Sequence, residues 1–80
     1  MKHRINIVHS QNFEALYING ELALQDRRID PLQLMYYIKL IIPKSAKLND
    51  LIPDEWWTDD EWGSTIQAFP KHFKDVKLRF

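Results

Sequence analysis

Cysteine is absent from this chain, which excludes a disulfide scaffold, thiolate metal ligation and a cysteine nucleophile together. Only two glycines and four prolines occur in eighty residues, leaving little material for flexible linkers or glycine-rich phosphate loops. No apolar run approaches the roughly 20 residues a membrane helix requires. The opening Met1-Lys2-His3-Arg4-Ile5-Asn6 has no apolar stretch of the kind found in secretory leaders. A soluble, cytoplasmic protein is therefore expected. Nor does one sign of charge prevail: eleven bases meet eleven acids, so the basic footprint of a general nucleic-acid binder is missing.

What the chain does have is enough apolar material to fold. It is 45% hydrophobic and 28% charged, a balance that favours one globular domain over residues 1–80 rather than disorder. The charge is neutral in sum but segregated. Residues 1–48 carry seven bases and four acids, residues 49–62 carry six acids and no base, and residues 63–80 carry four bases and one acid.

The first third reads as antiparallel β structure. Ile5 and Ile7 alternate with polar residues, Ser10-Gln11-Asn12 supplies turn chemistry, and a second strand is expected over 13–18. Asn19-Gly20 then separates two apolar-rich runs, 14–18 and 21–25. A two-residue Asn-Gly loop accepts the positive φ angles of a type I′ turn, whose twist matches that of its strands. Phe13, Ala15 and Tyr17 fall on one face of the second strand, Leu16 and Ile18 on the other. Both faces of the sheet should be covered.

A helix is expected over 31–42. Asp30 can cap it, Pro31 suits the first helical position, Gln33 can complete a capping box, and Ile29 with Leu34 can form a hydrophobic staple. Pro43 stops it. This helix is apolar almost all round, with Gln33 and Lys39 its plainly polar members. Leu34, Met35, Ile38 and Ile41 form the stripe expected against the sheet. Tyr36, Tyr37 and Leu40 are left for a second surface, so a homodimer or a protein complex is implied.

After a connector over 44–52, residues 54–62 hold three tryptophans and five acids in nine positions. A short helix over 53–63 ending at Gly63 is expected, with an alternative start in which Thr58 caps and Glu61 completes the box. Residues 76–80 alternate apolar and basic and read as a final edge strand. The fold class is α+β, a small antiparallel sheet in the order β-β-β-α-α-β packed by one apolar helix.

The run Phe13-Glu14-Ala15-Leu16-Tyr17-Ile18-Asn19-Gly20-Glu21-Leu22, the capped helix, and later Phe69-Pro70 and Asp75-Val76 resemble a pattern in short uncharacterised αβ proteins of bacteria and their phages. The resemblance covers about half the chain and rests on hairpin and turn signals. It implies a small αβ unit with no activity or site residues to carry over. The acidic tryptophan segment and the bulky side chains of the helix depart from the pattern.

Candidate sites follow from residue chemistry. Trp56, Trp57 and Trp62 can anchor a protein contact or stack on a base, and adjacent Trp56 and Trp57 cannot both face one core. Asp59, Asp60 and Glu61, with Asp54 and Glu55, can steer towards a basic partner. Arg27 and Arg28, beside a helix start, can hold an anion such as a phosphate. No cofactor or metal is expected: the acids lack a glycine-centred calcium pattern. His3 and His9, six residues apart on one strand face, are separated by about 20 Å, and His72 stands apart from both. Ser10, Ser45 and Ser64 have no motif that supplies a base, so an enzyme is not expected. The leading reading is a non-catalytic protein-binding protein, a phage-type inhibitor of a host system being its specific form. An oligomeric sponge for a nucleotide-like ligand comes second, and a nucleic-acid-binding accessory protein third.

Overall fold

In the computed structural model, which describes residues 3–42 and 52–79, the sheet is built outward from the Asn19-Gly20 turn. Asn19 has φ 52° and Gly20 φ 85°, the left-handed pair a type I′ turn demands. It joins β2 (Glu14–Ile18) to β3 (Glu21–Asp26). Tyr17 pairs with Leu22 while Leu16 pairs with Leu24, so Ala23 is the extra residue of a bulge. On the other side β1 (Ile5–His9) lies antiparallel to β2, Ile5 opposite Ile18 and His9 opposite Glu14. Ser10 closes that connection by donating through both N–H and Oγ to the Phe13 carbonyl.

The alternation of β2 sorts two cores. Ile5, Ile7, Leu16 and Ile18 point to one face, where Ile29, Leu34, Tyr37, Ile38 and Ile42 pack on them. Val8, Ala15 and Tyr17 point to the other, under Trp56, Trp62, Phe69, Phe73 and Val76. Both faces are thus covered, one by the helix α1 (Pro31–Ile41) and the other by the C-terminal third.

α1 begins as its residues dictate. The Asp30 carboxylate accepts from the N–H groups of Leu32 and Gln33 at 2.8 and 3.0 Å, and Gln33 Oε1 accepts from the Asp30 N–H at 3.1 Å. Asp30→Ala is expected to lose about 1 kcal/mol of stability, read as a lower urea midpoint, with Asp30→Asn close to wild type. Beyond Ile41 the backbone of Ile42 is extended, the geometry favoured before a proline. Pro43, Ser45 and most of the 44–52 connector lie outside the described residues, as does Phe80.

Two expectations for the second half are corrected. The tryptophan segment is not a helix over 53–63: Asp54–Trp57 is the strand β4, parallel to β1, and completes a sheet of order β3-β2-β1-β4. Pairing Val8 with Trp56 and His9 with Trp57 sends the two adjacent rings to opposite faces, which strand periodicity permits. The helix α2 follows at Asp60–Thr65, capped by Asp59 rather than Thr58, and contains Gly63 instead of ending at it. Thr58 is buried. The other correction concerns residues 76–80, which form no named strand among the described residues. They keep the expected alternation, Val76 and Leu78 inward and Lys77 and Arg79 outward, but contribute a bridge between Leu78 and Thr58.

The C-terminal segment therefore works as a strap. At the β3 edge the Leu22 N–H donates to Lys71 O and the Phe73 N–H to Gly20 O, while Gln25 bonds the backbone of both Phe69 and Gln67. It turns once at Phe73–Asp75. At the β4 edge the Arg79 N–H donates to Trp57 O and the Asp59 N–H to Lys77 O. Both sheet edges are partly closed by one segment, which blunts their tendency to pair with other chains.

Candidate functional site

At the open end of β1 and β4, on the α1 side of the sheet, register alone assembles a cluster. His9 stands opposite Glu14 on β2 and Trp57 on β4. Its Nδ1 lies 2.7 Å from Glu14 Oε2, its Nε2 lies 3.2 Å from Glu55 Oε1, and its ring stacks on Trp57 with centroids 5.2 Å apart and planes 24° from parallel. The second oxygen of Glu14 accepts from the Ile29 N–H at 2.7 Å, tying the cluster to the entry of α1. Trp57 remains 50% exposed. Its indole is therefore held flat from one side and open on the other, a platform suited to an apolar or cationic group.

Beside the platform is a groove of about 390 Å³, bounded by His9, Trp57, Thr58, Asp60, Gly63 and Arg79. Asp60 and Arg79 form an exposed ion pair at 3.5 Å, which contributes little to stability. Among the described residues no three His, Asp or Glu side chains converge as metal ligands. In the His9 cluster the reason is geometric, since the two ring nitrogens address their carboxylates in divergent directions.

The tryptophans part company. Trp56 donates its Nε1–H to Asn6 Oδ1 at 2.8 Å and meets the Phe73 ring edge-on, and Trp62 packs edge-on against Phe69. Both are partly buried against the strap-side core, and Trp57 is the most exposed of the three. Among the acids, Asp59 is committed to capping, accepting from the N–H groups of Glu61 and Trp62. Asp60 and Glu61 lie exposed near the groove.

The helix residues divide as well. Tyr36 and Leu40 point outward, 60% and 63% exposed. Tyr37 does not: it is half-buried against the sheet core, while Met35 and Ile41, expected inside, are exposed. The helix is rotated relative to the expected stripe because Ile29, Leu34 and Ile42 seat its two ends on the sheet. Arg27 and Arg28 are exposed, and neither makes an ion pair with a described residue. Arg27 borders a different groove, of about 660 Å³, with Asn12, Phe13 and Gln67. The two grooves share no lining residue, so the arrangement does not bring the arginines and Trp57 around one ligand.

His9, Glu14 and Glu55 were not expected as a unit. The signal that could have found the first two is the short turn at Ser10-Gln11-Asn12, which sets His9 against Glu14 once the hairpin register is written out. No protein-family model, curated protein or solved structure matches the chain.

Proposed function

We propose that this chain is a non-catalytic binding protein of the cytoplasm that grips a basic surface of another protein, with Trp57 as the anchor. The observation that carries the reading is the half-exposed indole fixed by its stack on His9, because rigid, partly buried aromatic residues are the usual hot spots of interfaces. The surrounding charge sets the class of partner. Glu55, Asp60 and Glu61 are exposed near this end of the sheet, which attracts a cationic surface and repels a phosphate backbone.

The groove also offers poor material for catalysis. Both His9 nitrogens are engaged by carboxylates, the Ser10 hydroxyl is spent on its own turn, and Asp60 faces Arg79.

The test begins with affinity purification from expressing cells, wild-type and Trp57→Ala baits compared at equal load. Kinetics on the purified pair follow. Trp57→Ala should dissociate about 30-fold faster or more, the equivalent of a 2 kcal/mol hot spot. Asp60→Asn with Glu61→Gln should slow association and flatten its salt dependence, leaving dissociation near wild type. Asp59 is left intact because it caps α2. A partner that binds all three proteins alike overturns the reading. A nucleotide that raises the melting temperature would do the same in favour of the small-ligand sponge.

A further inference from the structure

The outer face of α1 uses no residue of the Trp57 groove and makes a separate demand. Leu32, Met35, Tyr36 and Leu40 are 78%, 53%, 60% and 63% exposed, and their i+3 and i+4 spacing places them along one side of the helix. We propose that this face is an isologous interface in which α1 packs antiparallel on α1 of a second copy, the two-fold axis passing beside Tyr36.

Three observations select a second copy. The first is area: the four large side chains at these exposures present on the order of 500 Å² per copy, so a two-fold pair that buries them fully reaches roughly the 1,000 Å² that a specific interface requires.

The second is self-complementarity. A patch can pair with itself about a two-fold axis only if each half matches the other, and this stripe carries an apolar residue on either side of Tyr36, with Lys39 its one charged member. With residue 36 at the axis, Leu32 of one copy meets Leu40 of the other.

Charge is the third. Lys39 is the basic residue of the last turn, and an antiparallel pair with residue 36 at the axis keeps the two Lys39 side chains apart, each across from Gln33 of its mate, with the two helix dipoles opposed. A parallel pair would set Lys39 beside Lys39 and align the dipoles. Arg27 stays clear of the stripe, at the groove bordered by Asn12 and Gln67.

The absence of native cysteine makes the geometry directly testable by disulfide trapping. Tyr36→Cys alone should cross-link efficiently, since a residue at the axis adjoins its own mate within the reach of a disulfide. Leu32→Cys and Leu40→Cys should cross-link poorly alone and well when mixed. Light scattering of the wild type at tens of micromolar should give twice 9.6 kDa. Leu40→Glu, or Tyr36→Lys if the former fails to fold, should return the single-chain mass with an unchanged circular dichroism spectrum. A wild-type monomer under these conditions overturns the proposal. So does a dimer that survives both substitutions, or one trapped by Leu32→Cys alone.

Discussion

Tyr17→Ala is expected to leave most of the chain unfolded near physiological temperature. Tyr17 has no exposed surface, sits at the centre of the strap-side core, and meets Phe73 edge-on. Truncating a buried aromatic ring costs about 3–5 kcal/mol, against a total of roughly 4–12 kcal/mol for a domain of this length. Tyr17→Phe isolates the hydroxyl, which donates to Pro70 O at 2.6 Å. That variant should fold and lose about 1–2 kcal/mol, because a partly buried carbonyl loses its donor.

The same phenol gives the domain an alkaline limit. Burial, reinforced by the nearby Asp75 carboxylate, pushes Tyr17 up to about 12, from an ordinary value near 10. Between these values the unfolded chain has released the proton while the folded chain retains it. Stability is therefore intact below about pH 10 and falls as pH rises towards 12, by on the order of 1–2 kcal/mol. Urea titrations at stepped pH should show this slope in the wild type and a shallower one in Tyr17→Phe.

Gly63→Ala should rank next, at about 3 kcal/mol or more. A methyl group at this buried position would collide with Thr58 Oγ1 and press on Thr58 Cβ at 3.3 Å. Thr58 cannot yield easily, since its own N–H is bonded to His9 O at 2.9 Å and its side chain is buried. Overpacking of this kind forces backbone shifts, here lifting α2 from the end of the sheet and opening the groove beside Trp57. Removing the hydroxyl should relieve much of the clash, so Thr58→Ala combined with Gly63→Ala should recover more than half the loss. Strictly additive effects of the two substitutions on the melting free energy would show that the clash is not what sets the cost.

The features legible in the sequence are those decided within a few residues. Asn19-Gly20, the Asp30-Gln33 box and the two-faced alternation of Phe13 to Ile18 each carry their own geometry, and the structure reproduces them. Gly63 read as a helix end because a glycine beyond a short helical pattern usually is one; its actual role, a close approach to Thr58, depends on an element the local pattern does not contain. β4 was hidden for a related reason. Four residues, two acidic and two aromatic, make no strand signal by themselves, and Asp54–Trp57 is extended because β1 offers a parallel ladder 48 positions earlier in the chain. The adjacency of Trp56 and Trp57 was a partial clue, since it required one ring to leave the core, but a strand rather than a helix resolves it. In α1 the surplus of apolar residues erased the phase, and packing at Ile29 and Ile42 chose Tyr37 over Met35 for the inner side.

The strap has a consequence for how the domain is assembled. Tyr17 bonds Pro70 across 53 positions and Gln25 bonds Phe69 across 44, so these contacts reward the chain only after long loops have closed. The β1–β2–β3 meander, made of neighbouring pairs, is the natural early structure, and β4 with the strap condenses onto it. Until that step, the β3 and β1 edges and the Tyr17 face are bare together. The period of greatest exposure to wrong pairing with other chains thus falls late in folding, and the residues that end it are those that seal both edges.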